Sequence, residues 1–230
     1  MLVCFDFKTK RGLTTVKRVV QDNFEASKRP DFVPRMVQKL RELQKRGVWA
    51  VRVHGGGDYY SDGYVVKWAM IAHTLPEMKF FSYTKSLRLA ALPILEAQPN
   101  FTVIKSFGGI HDTQISRAKD DFADIIENAN QAGRNVVVCP ADRVRLVGGN
   151  RGVWCGLKCR YCFPPNGKGG RQVRVAFVEQ TAGWNGMPQQ AVDRLKLLAE
   201  KGLVKPSTTT QARRLEAVLH ESTRRSVKGA

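Results

Sequence analysis

Two hydrophobic periods take turns along this chain. Residues 2–7 (LVCFDF) alternate and predict a short strand that sets Cys4 beside an apolar face. Thr14 or Thr15 caps a helix reaching about residue 27, with Val16, Val19, Val20 and Phe24 on one stripe, and Pro30 breaks it. Asp31 reads as the next N-cap, with Pro34 in the first turn. Val33, Met36, Val37, Leu40 and Leu43 follow at helical spacing until Gly47. Residues 48–53 predict a strand that runs into His54-Gly55-Gly56-Gly57-Asp58. A helix over about 61–75 turns Tyr64, Trp68, Ile71 and Leu75 inward. A strand over 78–83 ends in Thr84-Lys85-Ser86, and a short helix carries Leu89, Leu92 and Leu95. A strand over 101–107 ends in Gly108-Gly109. A helix over 116–131 presents Phe122, Ile125, Ile126 and Ala129 and closes at Gly133. Strands follow at 135–139 and 173–178.

Strands alternating with helices predict an α/β chain, either a partial (β/α) barrel or an open, mostly parallel sheet. Five or six units are too few for a closed eightfold barrel. In both architectures ligands collect at the carboxyl ends of the strands. There the sequence places His54, Asp58, Lys85, Gly108-Gly109-Ile110-His111 and Cys139. From Trp184 the character changes. Pro188 opens a helix to residue 201 with Ala191, Leu195 and Leu198. A second, near 211–221, holds Leu215, Val218 and Leu219. The expected division is an α/β domain over 1–183, with a cysteine-rich metal loop at 139–172, and a C-terminal helical hairpin over 184–230 with a basic tail.

Four of the five cysteines fall at Cys139, Cys155, Cys159 and Cys162, spaced C-x15-C-x3-C-x2-C. Three share one tight loop, and Cys139 ends the apolar run Val136-Val137-Val138. Thiolates favour zinc or iron–sulfur clusters over hard cations. Zinc usually shows two short pairs, and here only Cys159 and Cys162 have that spacing. The run Cys155-Gly-Leu-Lys-Cys159-Arg-Tyr-Cys162 resembles the cluster loop of radical S-adenosylmethionine (SAM) enzymes. That resemblance implies a 4Fe–4S cluster on three cysteines with a fourth iron open to SAM. A ligating Cys139 would close the cluster. Zinc, or four reduced thiols packed as small apolar groups, are the alternatives.

Charge adds a partner. Thirty-eight Lys and Arg against 20 Asp and Glu give +18 and a pI near 10.1. That excess favours a polyanion, nucleic acid or a ribonucleoprotein, over a membrane. The cysteine stretch carries Arg143, Arg145, Arg151, Lys158, Arg160, Lys168, Arg171 and Arg174 against a single acid, Asp142. Some of these cations would balance thiolate charge, and the rest are candidates for phosphate. Trp154, Tyr161 and Phe163 interleave with them, either to stack bases or to pack around a cluster. No apolar run approaches the roughly 18 residues that span a bilayer, the first residues lack a signal-peptide pattern, and the crowded cysteines do not form a secreted disulfide framework. The expected compartment is a reducing cytoplasm.

Three glycines after a strand let backbone approach a ligand beside His54 and Asp58, as base, metal ligand or ribose contact; a flexible turn is the plain alternative. Lys85 is a candidate phosphate or carboxylate contact, or a surface charge. His111 reads as a loop residue, His73 and His220 as helix-surface residues.

The blocks NFEASKRPDFVPRMVQKL, VRVHGGGDYYSDGYVVKW and FFSYTKS, followed by Cys139-Pro140 and the cysteine loop, occur in this order. They resemble the phage and prophage family named after gene product eighty-eight. That family's pattern is similar to radical-SAM-like barrels, with an early cysteine cluster and further cysteines late. Cys4-Phe5 matches the last early cysteine, and the other early ones have no counterpart in this sequence. The resemblance thus leaves the late cysteines, His54, Asp58 and Lys85 to form a site. A host protein is the further partner it implies, for a takeover factor.

Overall fold

The computed structural model describes residues 14–126, 131–140, 159–164 and 172–178, together with Leu197, Glu200 and Lys201. Helix α1 spans Thr14–Lys28 and leaves Val19, Val20 and Phe24 exposed. Helix α2, Phe32–Lys45, buries Phe32, Val37 and Leu40. Asp31 occupies its N-cap position, but the carboxylate turns to Arg29 at 2.9 Å and Arg35 at 3.5 Å instead of capping. The other end stops where Gly47 adopts φ +87°. Gly47 N donates to the Gln44 carbonyl at 2.9 Å and Val48 N to the Leu43 carbonyl at 3.0 Å. This paired closure needs a residue tolerant of left-handed backbone. It also draws Val48 out of the first strand, β1, which is Ala50–Val53 rather than 48–53.

Helix α3, Asp62–Thr74, starts where the Ser61 hydroxyl accepts from Tyr64 N at 3.2 Å. Strand β2 is Lys79–Thr84, helix α4 Leu92–Glu96 and strand β3 Phe101–Ser106. Buried Asn100 donates from Nδ2 to the carbonyls of Ala72, Leu75 and Met78, each at 2.9 Å. That ties the end of α3 to the starts of β2 and β3.

The helix expected over 116–131 is not formed over its described residues 116–126. Residues 116–120 make a turn, with Asp120 N donating to the Ser116 carbonyl at 2.8 Å, and Phe122–Ile126 is strand β4. Phe122, Ile125 and Ile126 fit a helical spacing, but four of these five residues are apolar. A parallel strand covered on both faces carries just such a run. Strand β5 shrinks from 135–139 to Val137–Val138, because Asn135 turns left-handed at φ +65°. Cys139 N still extends the ladder, donating to the Ala176 carbonyl at 2.8 Å. Strand β6 is Arg174–Val178. Leu197 and Glu200 are helical, in agreement with the helix expected to residue 201. The strand at 2–7 and the helix near 211–221 lie outside the described residues.

All strand pairs are parallel, in the order β1-β2-β3-β4-β6-β5. The α/β parallel expectation is therefore borne out, and among the described residues nothing pairs β1 to β5. From β1 to β4 each connection advances one strand in the same direction. Right-handed crossovers then put α3 and α4 on one face. There Phe80, Val53, Phe101 and Val103 join Trp68, Ile71 and Leu95 in one core. Strand pleating sends the alternate residues to the second face. Phe81, Ile104, Ala123 and Val175 pack there with Phe163, Trp49, Cys139 and Cys162. Phe80 and Phe81 are both fully buried. At about 1.5–3 kcal/mol per large apolar side chain, both faces need a cover. Helices cover one, and the cysteine segment contributes to covering the other.

Candidate functional site

The strand-end residues do share the carboxyl edge of the sheet, but the fold divides them between its two faces. His54 follows β1 in a left-handed conformation, φ +65°. Its ring meets Tyr59 edge-on at 4.6 Å, and Nε2 lies 3.2 Å from the Tyr64 hydroxyl. Tyr59 and Tyr64 belong to the helix-side core, so His54 lies on that side. Its Nδ1 is buried without a hydrogen-bond partner among the described residues. Burial pushes the imidazole down to about 4; nearby Asp58 raises it and Arg52 lowers it. A neutral, sequestered ring is a packing group in this conformation.

Asp58 is committed to structure. Its Oδ1 accepts from Tyr59 N and the Thr84 hydroxyl, each at 2.7 Å, and Oδ2 accepts from Lys85 N at 2.7 Å. The carboxylate clips the glycine loop after β1 onto the end of β2. Lys85 points to the second face. Its ammonium donates to the Ser106 hydroxyl at 3.1 Å, the Ser106 carbonyl at 3.3 Å and the Phe107 carbonyl. Gly108, at φ +86°, sits so close that an added Cβ would stand 3.4 Å from Lys85 Nζ. The amides of Gly108 and Gly109 each donate to the Asp112 carboxylate at 2.8 Å. His111 precedes a single 3₁₀ turn and joins none of these bonds.

The second face gathers Cys139 and Cys162. Cys139 leaves β5 and Cys162 sits in the segment 159–164, and both pack on the cluster that includes Tyr83. The Tyr83 hydroxyl lies 3.1 Å from Cys162 Sγ. Burial chiefly raises this phenol well above its ordinary range; Cys162 and Cys139 push the same way, and Arg52 opposes them. The Arg52 guanidinium stands 5.3 Å from the Tyr83 ring centroid. Cys159 is half-buried, and Cys155 lies outside the described residues. Among the described residues no three His, Cys, Asp or Glu side chains converge as a metal-binding group.

Of the basic candidates, Arg160 is exposed and its guanidinium stacks 4.7 Å over Trp49. Arg143, Arg145, Arg151, Lys158, Lys168 and Arg171 lie outside the described residues, as does Trp154. Phe163 is buried against Phe81 and Trp49, with ring centroids 4.6 and 5.2 Å away. The Tyr161 hydroxyl donates to the Arg174 carbonyl at 3.1 Å and accepts from Arg174 N at 3.2 Å. Phe163 therefore packs and is not presented to a base. Tyr83 and Arg52 carry no motif that marks them in the sequence. Counting by twos from Phe81 would have placed Tyr83 on the cysteine side.

A groove of about 540 Å³ beside α2, reaching Thr74 of α3, is lined by Val37, Arg41 and Lys45 and contains none of the strand-end residues. No described helix is long and apolar enough to cross a membrane.

Fold and site together define an α/β protein with an all-parallel sheet, helices on one face and Cys139 and Cys162 on the other. The Gene product 88 family matches residues 1–194, so the chain belongs to that family, the phage family whose blocks it resembles. No curated protein and no solved structure matches it.

Proposed function

We propose that this chain is a metal–thiolate protein of a bacterial host's cytoplasm that engages nucleic acid or a ribonucleoprotein. Cys139, Cys155, Cys159 and Cys162 would hold an iron–sulfur cluster, with zinc as the alternative, against the sheet face opposite the helices. One observation supports this above the rest. Cys139 and Cys162, 23 positions apart in sequence, pack on one cluster beside the hydroxyl of Tyr83. The donor set suits the group, because sulfur ligands select zinc or iron–sulfur over hard cations. Half-buried thiols at a strand end and in a following loop, with a hydroxyl beside them, suit a centre that needs partial shielding from solvent. A cluster held by only three of these cysteines would keep one iron open, and SAM is then its natural ligand. The basic residues around the cysteines support the polyanion as partner.

Anaerobic purification followed by iron, sulfide and zinc analysis tests the centre. Cys155→Ala, Cys159→Ala and Cys162→Ala are each expected to lose the metal and much of the fold, since ligand binding and folding of such a loop are coupled. Normal metal content in all three variants would sink the proposal.

A further inference from the structure

We infer that Tyr83 donates its hydroxyl proton to the Cys162 sulfur as a positioning residue that tunes the thiolate centre; the inference rests on the metal reading above. A coordinating cysteine is a thiolate and has no proton to give, so across the 3.1 Å contact the phenol must be the donor. Bonds to ionised acceptors are roughly twice as strong as neutral ones. The donor is held in place. Tyr83 stands on β2, paired on both sides by β1 and β3. Its ring is wedged edge-on between Phe81 at 5.6 Å and Phe177 at 5.4 Å. The Arg52 guanidinium over the ring, at 5.3 Å, draws electron density from the phenol and strengthens the O–H as a donor. Such a bond pulls charge off sulfur. It stabilises the more negative, reduced state of an iron–sulfur cluster, and it blunts a zinc-bound thiolate as a nucleophile.

The test uses the full chain, purified anaerobically, with metal content measured first. Tyr83→Phe keeps the ring and removes the donor. It is expected to retain metal and to shift the redox equilibrium about tenfold towards the oxidised cluster, ~59 mV for one electron. If the metal is zinc, iodoacetamide should alkylate Cys162 about tenfold faster, read by peptide mass spectrometry. Replacing Tyr83 by 3-fluorotyrosine, a more acidic donor of nearly the same shape, should move either readout the opposite way. A residue that merely filled space would not give opposite signs. Full metal content with no shift, or with both variants shifting alike, overturns the inference and leaves the metal centre standing. A wild-type chain without metal overturns both. Should Tyr83→Phe fail to fold, the sign of the fluorotyrosine shift decides alone.

Discussion

In the proposed thiolate centre, Cys139 is the residue on which the type turns. It leaves β5 held by a backbone bond to Ala176, so Cys139→Ala should spare the strand and change only the sulfur. A four-thiolate site is expected to lose its metal in this variant or hold it far more weakly. A three-thiolate cluster is expected to keep its iron, and added SAM should perturb its visible spectrum; retained iron with no SAM effect removes the support for SAM chemistry. His54 makes a different prediction. Above its ordinary value of 6.5 the ring is neutral in folded and unfolded chains alike, and it adds no pH dependence. Between 6.5 and about 4 the unfolded chain binds a proton that the folded chain refuses, so stability falls as pH falls through that window. At pH 5 the loss is about 2 kcal/mol by the same linkage. Urea unfolding at pH 7 and pH 5 should show this loss in the wild type and not in His54→Asn, a residue that tolerates the left-handed backbone. Equal losses would mean that the folded chain accommodates imidazolium.

The glycine loop between β1 and α3 is anchored by one carboxylate. Asp58→Ala would leave the Thr84 hydroxyl, 1% exposed as a residue, and the Lys85 amide without their acceptor. The expected cost is at least about 2 kcal/mol, given 1–3 kcal/mol for each buried group left unsatisfied. Thermal unfolding measures it, and an unchanged midpoint would show that water replaces the carboxylate. How far these elements were legible depends on the local pattern. β2 and β3 are short apolar runs between strong turn signals, and Gly47 stops α2 for the reason that the sequence suggests. β4 was misread because Phe122, Ile125 and Ile126 satisfy helical spacing while also forming a buried run, and only its pairing with β3 and β6 decides between them. The strand-end position of His54, Asp58, Lys85 and Cys139 was legible. Their division between two faces was not, because it depends on pleat parity and on the left-handed turn at His54. For Asp58 the sequence leaves both roles open, because a carboxylate that clips backbone amides has the same sequence signature as one that meets a ligand.

At the scale of the molecule the dominant quantity is +18. Such a field draws any polyanion, so a local interface must be separated from a general attraction. Affinity for nucleic acid is expected to fall with salt at a log–log slope of about −0.9 per neutralised phosphate for duplex DNA and about −0.7 for single strands. Replacing Arg143, Arg145 and Arg151 by Gln should remove roughly one unit of slope for each residue that contacts phosphate. Lys39 and Arg41 are the control, exposed on α2, where Lys39 already pairs with Glu42 at 3.3 Å. Equal losses from both sets would leave only the overall field. No binding of DNA or RNA at low salt would shift the partner to a host protein.

The strand order has a consequence for synthesis on the ribosome. β1 to β3 and helices α2 to α4 are consecutive, and they gather the helix-side core from residues 32–103 alone. The opposite layer closes only when Phe163, Val173 and Val175 emerge. β5 must wait as well, because its neighbour β6 is made after it and lies between it and β4. At about 5–20 residues per second, Phe81 and Ile104 therefore spend several seconds uncovered by their final partners. A nascent chain halted once residue 130 has left the ribosome would display a greasy, half-dressed sheet. Ribosome-bound chains at that stage should recruit chaperones, and chains whose residue 178 has also left the ribosome should release them.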